Sequence, residues 1–343
     1  MTVKVVVIGG GVFGATAACA LARSGCTVEL VEKNSDILRG ASFANQGRLH
    51  YGYHYPRAPH VGLRAHADAF ERRYPDVVYR GSAHFYCIAS EGSAVSGPEY
   101  LEFCRRQGLP FRVVAPPFVR GDVQLCVQVE EASIDIAALR RQLRAELAGL
   151  GVRVRLGREA TPAELAGCDW VIDATYGRSW RRPLQYEVCE TVVVRLGSRW
   201  RRASVVVLDG RFVSLDPVPR QDLHLLYDVE HSVHARTVGH APVIPGHLAS
   251  LIDRGLVVTP HTRLPQMLDS ARRFLPGLDK VAYVGSRFAV RSVLPDVDAT
   301  DERPTVLERD GNTIAILSGK LNMAVWAADR LLEITGREPA EVG

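Results

Sequence analysis

The alternation of apolar and polar positions changes period twice within the first 32 residues. Val3 to Ile8 is a largely β-branched run without polar alternation, the pattern of a central strand of a parallel sheet buried on both faces. Gly9-Gly10-Gly11-Val12-Phe13-Gly14 follows at once, Ala15 to Ser24 reads as a helix closed by Gly25, and a second apolar strand, Thr27 to Val31, ends in Glu32. Farther along, Ile134 to Leu147 has the spacing of an amphipathic helix and Val152 to Val154 that of a short strand. Cys168 to Gly177 reads as a buried strand entering a glycine turn. Thr313 to Leu317 predicts a strand, Ser318-Gly319 a turn, and Lys320 to Ile334 a helix.

Between these segments the pattern belongs to strands of another kind. Ala83 to Ala89, Tyr186 to Leu196, Ala203 to Leu208 and Leu223 to Glu230 predict a mixed or antiparallel sheet, flanked by helices at Val61–Tyr74, Pro98–Gln107 and Arg263–Phe274. No stretch rich in Gly, Ser or Pro separates the two patterns and no repeat is evident, so the chain is expected to cross between two interlocked layers more than once. At 343 residues it is long enough for about two domains of ordinary size.

The opening segment carries a chemistry of its own: strand, GxGxxG, helix, strand, acid. Gly9 permits the tight turn, Gly11 lets a backbone approach a diphosphate, and Gly14 lets the helix pack closely on the strand. The helix N-terminus, at Val12 and Phe13, offers unpaired N–H groups and a positive dipole end to phosphates. Glu32, 18 residues past Gly14, is placed to accept hydrogen bonds from ribose hydroxyls, and an acid there argues against a 2′-phosphate and so against NADP. These features predict a bound dinucleotide and leave NAD and FAD open.

Composition narrows the surroundings of this site. Charged residues at 23% and apolar residues at 47% are ordinary for a globular chain, so the whole of it is expected to fold. Of 42 basic residues only Lys4, Lys33, Lys280 and Lys320 are lysines, and the net charge of +4 is an arginine excess spread along the chain without a basic run interleaved with aromatics. Neither a nucleic acid nor a membrane is therefore expected as a partner. The seven cysteines form no CxxC pair and none sits at metal-ligand spacing with histidine, which suits reduced thiols in a cytoplasmic protein and no metal. The uncharged stretch Val5–Ala22 is broken by Gly9, Gly10, Gly11 and Gly14 and reads as neither signal peptide nor membrane span.

Downstream of Glu32, Gly40-Ala41-Ser42-Phe43-Ala44-Asn45-Gln46-Gly47-Arg48-Leu49-His50-Tyr51-Gly52-Tyr53-His54-Tyr55 stands where a plain NAD enzyme would start another helix. This segment resembles the D-amino-acid-oxidase-like family of FAD-dependent oxidoreductases. The resemblance implies an α/β fold with a Rossmann-type, glutathione-reductase-like FAD-binding domain and a mixed or antiparallel substrate domain. The expected boundaries are 1–80, 130–185 and 282–343 for the first and 81–129 and 186–281 for the second. By the same resemblance FAD is the cofactor, contacted by Gly9, Gly11, Val12, Phe13, Gly14, Glu32 and Lys33, and by Ala41, Ser42, Asn45, Gln46, Gly47, Arg48 and Leu49. The element Asp169 to Gly177 is similar to one whose turn nears the FAD phosphates, adding Val154, Ala174 and Gly177. The closing strand, glycine and helix add Gly319, Lys320, Leu321 and Asn322 at the flavin pyrimidine, where a positive helix end would stabilise anionic reduced flavin. Tyr176 departs from the family pattern, standing where a small residue is usual, and Arg48 and His50 are bulkier than many equivalents.

Such a site needs little beyond placement of the substrate C–H bond. The segment Gly285 to Asp296 resembles the family's region around an arginine that binds substrate carboxylate, which nominates Arg287 first and Arg291 second, each against the plain reading of a surface arginine. His50 is nominated to orient substrate or act as base, with covalent flavin attachment and simple structural hydrogen bonding as alternatives. Tyr53 and Tyr55 are read as closing the pocket or as buried tyrosines, and one of His231 and His234 as part of the pocket wall. The expected activity is oxidation of a C–N or C–OH bond in a small, carboxylate-bearing molecule, with dioxygen or another acceptor taking the electrons. A flavin monooxygenase and a non-catalytic FAD-binding redox protein are the alternatives. Ser318-Gly319-Lys320 has no Asp after its Gly, as the late turn of a monooxygenase would. The sequence leaves the oligomeric state open.

Overall fold

The computed structural model of the chain describes residues 2–57, 63–200, 202–208, 210, 212–295 and 303–338. Val61 and Gly62, at the start of one expected helix, and Asp296, beyond Arg291, lie outside the described residues.

The opening run forms β1 (Lys4–Ile8), whose Val5, Val6 and Val7 are buried as a central parallel strand requires. It is followed by α1 (Val12–Arg23) and β2 (Thr27–Val31). The helix begins three residues before the expected Ala15, because Gly14 lies inside its first turn against the Gly9 carbonyl. β1 and β2 belong to a six-stranded sheet ordered Val306–Asp310, Thr313–Leu317, Trp170–Asp173, β1, β2, Arg153–Arg155. All neighbours are parallel except the closing hairpin Val306–Asp310 with Thr313–Leu317, which turns through Gly311 at φ +59. Small residues of α1, Ala15, Ala17 and Ala18, share a buried core with Ala324 and Ala327 of the C-terminal helix Ala324–Ile334. That helix starts later than expected, since Leu321–Met323 winds as a 3₁₀ turn before it.

The second sheet has nine strands and is mixed. At its centre the strand Leu184–Arg195 pairs antiparallel with Ala282–Val293 along its length and, on its other side, with Val233–Gly239 and then His224–Asp228. Val213–Pro217, Ala203–Leu208, Ala83–Ala89, Val123–Val129 and Phe111–Val113 continue it, with one parallel pairing between Ala203–Leu208 and Ala83–Ala89. Within this sheet five strands are ones that the pattern alone does not announce: Phe111–Val113, Val123–Val129, Val213–Pro217, Val233–Gly239 and Ala282–Val293.

Alternation divides this sheet into two unlike faces. The back face presents Val192, Val194, Val205, Val207, Leu215 and Leu226 to an apolar core closed by Met267, Ala271 and Phe274. The front face carries Glu187, Cys189 and Thr191, and their register partners Arg291, Ala289 and Arg287. It continues through Tyr227, Asp216, Ser204 and Tyr86. A polar face can be buried only if something polar meets it. What meets it is the segment 41–51, which begins at the opening turn of α1. Among the described residues, no helix is long and apolar enough to cross a membrane.

Candidate active site

Three conformational demands shape the glycine turn. Gly9 has φ +97, and a Cβ there would lie 2.7 Å from the Ala174 carbonyl oxygen. A Cβ on Gly14 would collide with the Gly9 carbonyl oxygen, and one on Gly11 would sit 3.2 Å from Ser42 Oγ. Gly11 caps α1 without a side-chain hydrogen bond, so the first-turn N–H groups of Phe13 and Gly14 face outward as an anion site. The buried Glu32 carboxylate fixes the turn from beneath: Oε2 accepts from Gly10 N–H at 2.6 Å and Oε1 from Asn34 N–H at 2.8 Å. Each oxygen keeps a second lone pair for a hydroxyl. Ala174 lies under the turn, its N–H on the Ile8 carbonyl at 2.8 Å. Gly177, at φ +111, follows Tyr176 at φ +66, so the bulky residue that departs from the family pattern occupies a left-handed position.

The polar segment is stitched to this turn and to both sheets. Val12 N–H donates to Ser42 Oγ at 3.0 Å. Asn45 Nδ2 donates to the Ala41 and Ser42 carbonyls, while its Oδ1 accepts from Gly47 N–H at 2.6 Å. The Ala44 carbonyl accepts from Thr191 Oγ1 at 2.6 Å and the Phe43 carbonyl from Arg287 Nη1 at 3.0 Å. Gln46 follows, half-buried, and Leu49 is wholly buried.

Arg48, expected in contact with FAD, commits its side chain to the second sheet. Its guanidinium turns into the front face, donating to Glu131 Oε2 at 3.2 Å and to Ser204 Oγ at 2.5 Å, with Asp216 Oδ1 2.8 Å away. Tyr86 donates to Glu131 Oε2 at 2.9 Å, and Glu131 Oε1 accepts from Tyr51 N–H at 3.0 Å. Two buried carboxylates about one buried guanidinium raise its pKa against the cost of burial. His50, two residues on, is thereby held at a fixed height.

His50 itself is enclosed, and burial foremost, then the charges of Lys320, His54, Arg48 and His84, keep its pKa well below the ordinary 6.5. It is neutral at pH 7, and its Nδ1 has no hydrogen-bond partner among the described residues. Its carbonyl accepts from Asn322 Nδ2 at 3.3 Å, which ties the polar segment to the 3₁₀ turn after Gly319. Asn322 is completely buried, its Oδ1 unpartnered among the described residues, Lys320 Nζ lies 4.9 Å from the Tyr55 ring centroid, and Leu321 begins the turn. Gly319 N–H donates to Thr305 Oγ1 at 3.0 Å, and a Cβ there would run into the Arg303 carbonyl.

A second polar group sits on the front face. Arg291 places Nε 2.8 Å and Nη2 2.5 Å from Oε2 of the fully buried Glu187, leaving Nη1 outside the pair. Arg236 donates to Glu187 Oε1 at 3.1 Å, and against the cost of burial the charge and hydrogen bonds of Arg291 first, and the charge of Arg236 after them, hold that carboxyl low. The Arg291 side chain keeps 32% of its surface exposed. Beside it stands Tyr227, whose hydroxyl has only the weakly accepting Cys189 thiol beside it and no oxygen or nitrogen partner among the described residues, and is pushed up in pKa by burial. Sequence reasoning passed over Tyr227, Cys189 and Glu187; the signal was strand parity, which sets Tyr227 opposite Ser214 on the face of Thr191.

The structure places the remaining nominated residues as follows. Tyr53 belongs to the core: it is fully buried, donates to the Pro110 carbonyl at 2.5 Å and stacks on Tyr86. Lys33 is more than half exposed and pairs with Asp253 at 3.0 Å. Val154 pairs by its backbone with Leu30 on an edge strand, with its side chain exposed. His234 lies on the opposite face, 2.8 Å from Glu190 Oε2, and His231 is held in a turn by Asp228. Among the described residues no three His, Cys, Asp or Glu side chains converge as metal ligands.

The arrangement fits a flavin dinucleotide on structural grounds. A diphosphate cradle stands at the α1 opening, an acid sits at the end of β2, and enclosed polar atoms at His50 Nδ1, Asn322 Oδ1 and Arg287 Nε lack partners among the described residues. Comparison with known proteins agrees. A model of the FAD dependent oxidoreductase family matches residues 4–321. FAD-dependent monooxygenase FPY4 of Fusarium mangiferae is 27% identical over 346 residues, 97% of this chain and 91% of its own. Glycine oxidase of Geobacillus kaustophilus superposes with a TM-score of 0.70 at 16% identity, covering 99% of this chain and 97% of its own. L-alpha-glycerophosphate oxidase of Mycoplasma pneumoniae gives 0.71 at 15% identity, covering 100% and 97%. At such identities the two structures speak for the fold alone.

Proposed function

The chain belongs to the FAD-dependent oxidoreductase family, and on that premise we propose that it oxidises a C–N or C–OH bond of a small anionic molecule anchored by Arg291. Bound FAD supplies a two-electron acceptor at the flavin N5. We assign its diphosphate to the first-turn N–H groups of α1 with Ser42, its ribose to Glu32, and its pyrimidine side to the turn Gly319–Asn322.

The protein's part is placement and proton handling. Arg291 Nη1 and the Tyr227 hydroxyl hold the substrate's anionic group: Glu187 fixes the guanidinium plane through Nε and Nη2, and neither remaining donor has an oxygen or nitrogen partner among the described residues. His50, neutral at pH 7 with Nδ1 unpartnered, accepts the proton of the substrate's hydroxyl or ammonium group. The polar front face of the second sheet covers the crevice and excludes water. Dioxygen or another acceptor completes turnover.

The observation that carries this reading is the half-open guanidinium of Arg291 beside an enclosed, unpartnered phenol on the face meeting the cofactor segment. A second reading, flavin monooxygenation, is favoured by the name of the Fusarium relative, which spans nearly the whole chain. Anaerobic reduction by free acids set against their methyl esters tests the first: acids bleach the flavin band and esters do so far more weakly. Equal reduction by both would remove Arg291 as an anion anchor.

A further inference from the structure

The sequence nominates Arg287 as a substrate anchor; the geometry points to another ligand, and we propose that Arg287 binds the diphosphate of the dinucleotide cofactor. Its side chain leaves the front face opposite Thr191 and reaches the cofactor segment, where Nη1 donates to the Phe43 carbonyl at 3.0 Å. Phe43 follows Ser42, the residue that takes the Val12 N–H at the mouth of α1. The guanidinium lies 4.0 Å from the centroid of the Phe43 ring. Arg140 approaches the same ring at 5.2 Å and donates to the carbonyl of Leu38, whose own N–H bonds to the Gly10 carbonyl at 2.8 Å. Two arginines thus flank one phenylalanine within a loop tied at Ser42 and at Leu38 to the diphosphate turn.

Arg287 is the one whose charge is left uncompensated. Arg140 has Asp36 at 3.9 Å, whereas no carboxylate pairs with Arg287 among the described residues, and its Nε is enclosed without a partner. Burial first, and the neighbouring Arg140 second, bring its pKa down to about 10. A half-buried guanidinium whose enclosed Nε stays idle is costly until an anion arrives. The dianionic diphosphate is the anion that the adjoining helix terminus already selects.

This inference rests on the FAD assignment and not on the oxidation proposed above, so its test needs no turnover. Apoprotein of wild type, Arg287→Met and Arg287→Lys is titrated with FAD by fluorescence and with ADP by competition, and apoprotein unfolding is followed by circular dichroism. Arg287→Met is expected to weaken FAD and ADP alike by roughly ten- to a hundredfold, the range of a charge-assisted hydrogen bond. Its apoprotein should unfold no earlier than wild type, and Arg287→Lys should fall between. Unchanged FAD and ADP affinity overturns the proposal. So does weakening of FAD without ADP, which would move the arginine to the flavin half, and so does a destabilised apoprotein in both variants, which would make Arg287 a folding residue.

Discussion

Arg291 and Glu187 face each other across two antiparallel strands, Nε to Oε2 at 2.8 Å, and a carboxylate with no exposed surface thereby sets the plane of a half-open guanidinium. Since Arg236 also donates to Glu187, removing Arg291 does not leave the buried acid unpaired. Arg291→Met is therefore expected to fold and to retain FAD. Steady-state kinetics should show the apparent KM for an acid substrate raised by roughly ten- to a hundredfold. Arg291→Lys should recover little, because an ammonium cannot keep the fork on Glu187 and still reach the substrate.

Tyr227→Phe separates recognition from stability. The hydroxyl has no oxygen or nitrogen partner among the described residues, so its loss should leave the urea midpoint unchanged or slightly higher. The same variant should lower kcat/KM for the acid substrate by about tenfold, one hydrogen bond to a charged group. A midpoint that falls with kinetics unchanged would make Tyr227 a core residue only.

How much of this was legible beforehand follows from distance along the chain. The unit β1, α1 and β2 could be read because its signals are adjacent: a β-branched run, a glycine turn, an acid at position 32. Thr313–Leu317, Ala83–Ala89 and Ala203–Leu208 were readable from their own composition. The front face was not, because it exists only once Glu187 meets Arg291 and Arg48 meets Asp216, partners far apart in sequence whose side chains look like surface charge until the register is known. Tyr53 and Tyr55 looked alike for the opposite reason: nothing local reveals that the first spends its hydroxyl on Pro110.

Arg48 binds the layers together. With Arg48→Met, Glu131 and Asp216 stay buried without their counter-charge, and chemical denaturation should show a loss of about 3–5 kcal/mol. Adding Glu131→Gln and Asp216→Asn to that variant should restore part of it. A triple variant no more stable than Arg48→Met would show that packing, not charge, is what Arg48 contributes.

The enclosed histidines set an acid limit. His50, His84 and His224 all have folded pKa values below the ordinary 6.5, chiefly through burial, so unfolding takes up protons that the folded chain refuses. Stability is then full above about pH 6.5 and falls as pH drops below it, by about 1.4 kcal/mol per pH unit for each such group. His84, fully buried with neither ring nitrogen bonded among the described residues, isolates the effect. Relative to its difference from wild type at pH 8, His84→Leu should gain about 1.4 kcal/mol at pH 5.5 in urea unfolding. No difference between the two pH values would show that His84 is protonated in the folded chain.

The most direct measurement is the absorbance of the anaerobic, FAD-loaded protein, mixed in turn with amino acids, hydroxy acids, amines and NAD(P)H. Oxidation of a C–N or C–OH bond predicts that at least one small acid bleaches the flavin band within the time of turnover, while NAD(P)H leaves it intact. Bleaching by NAD(P)H alone, with every amine and hydroxy compound inert, would contradict the account and make the protein a monooxygenase.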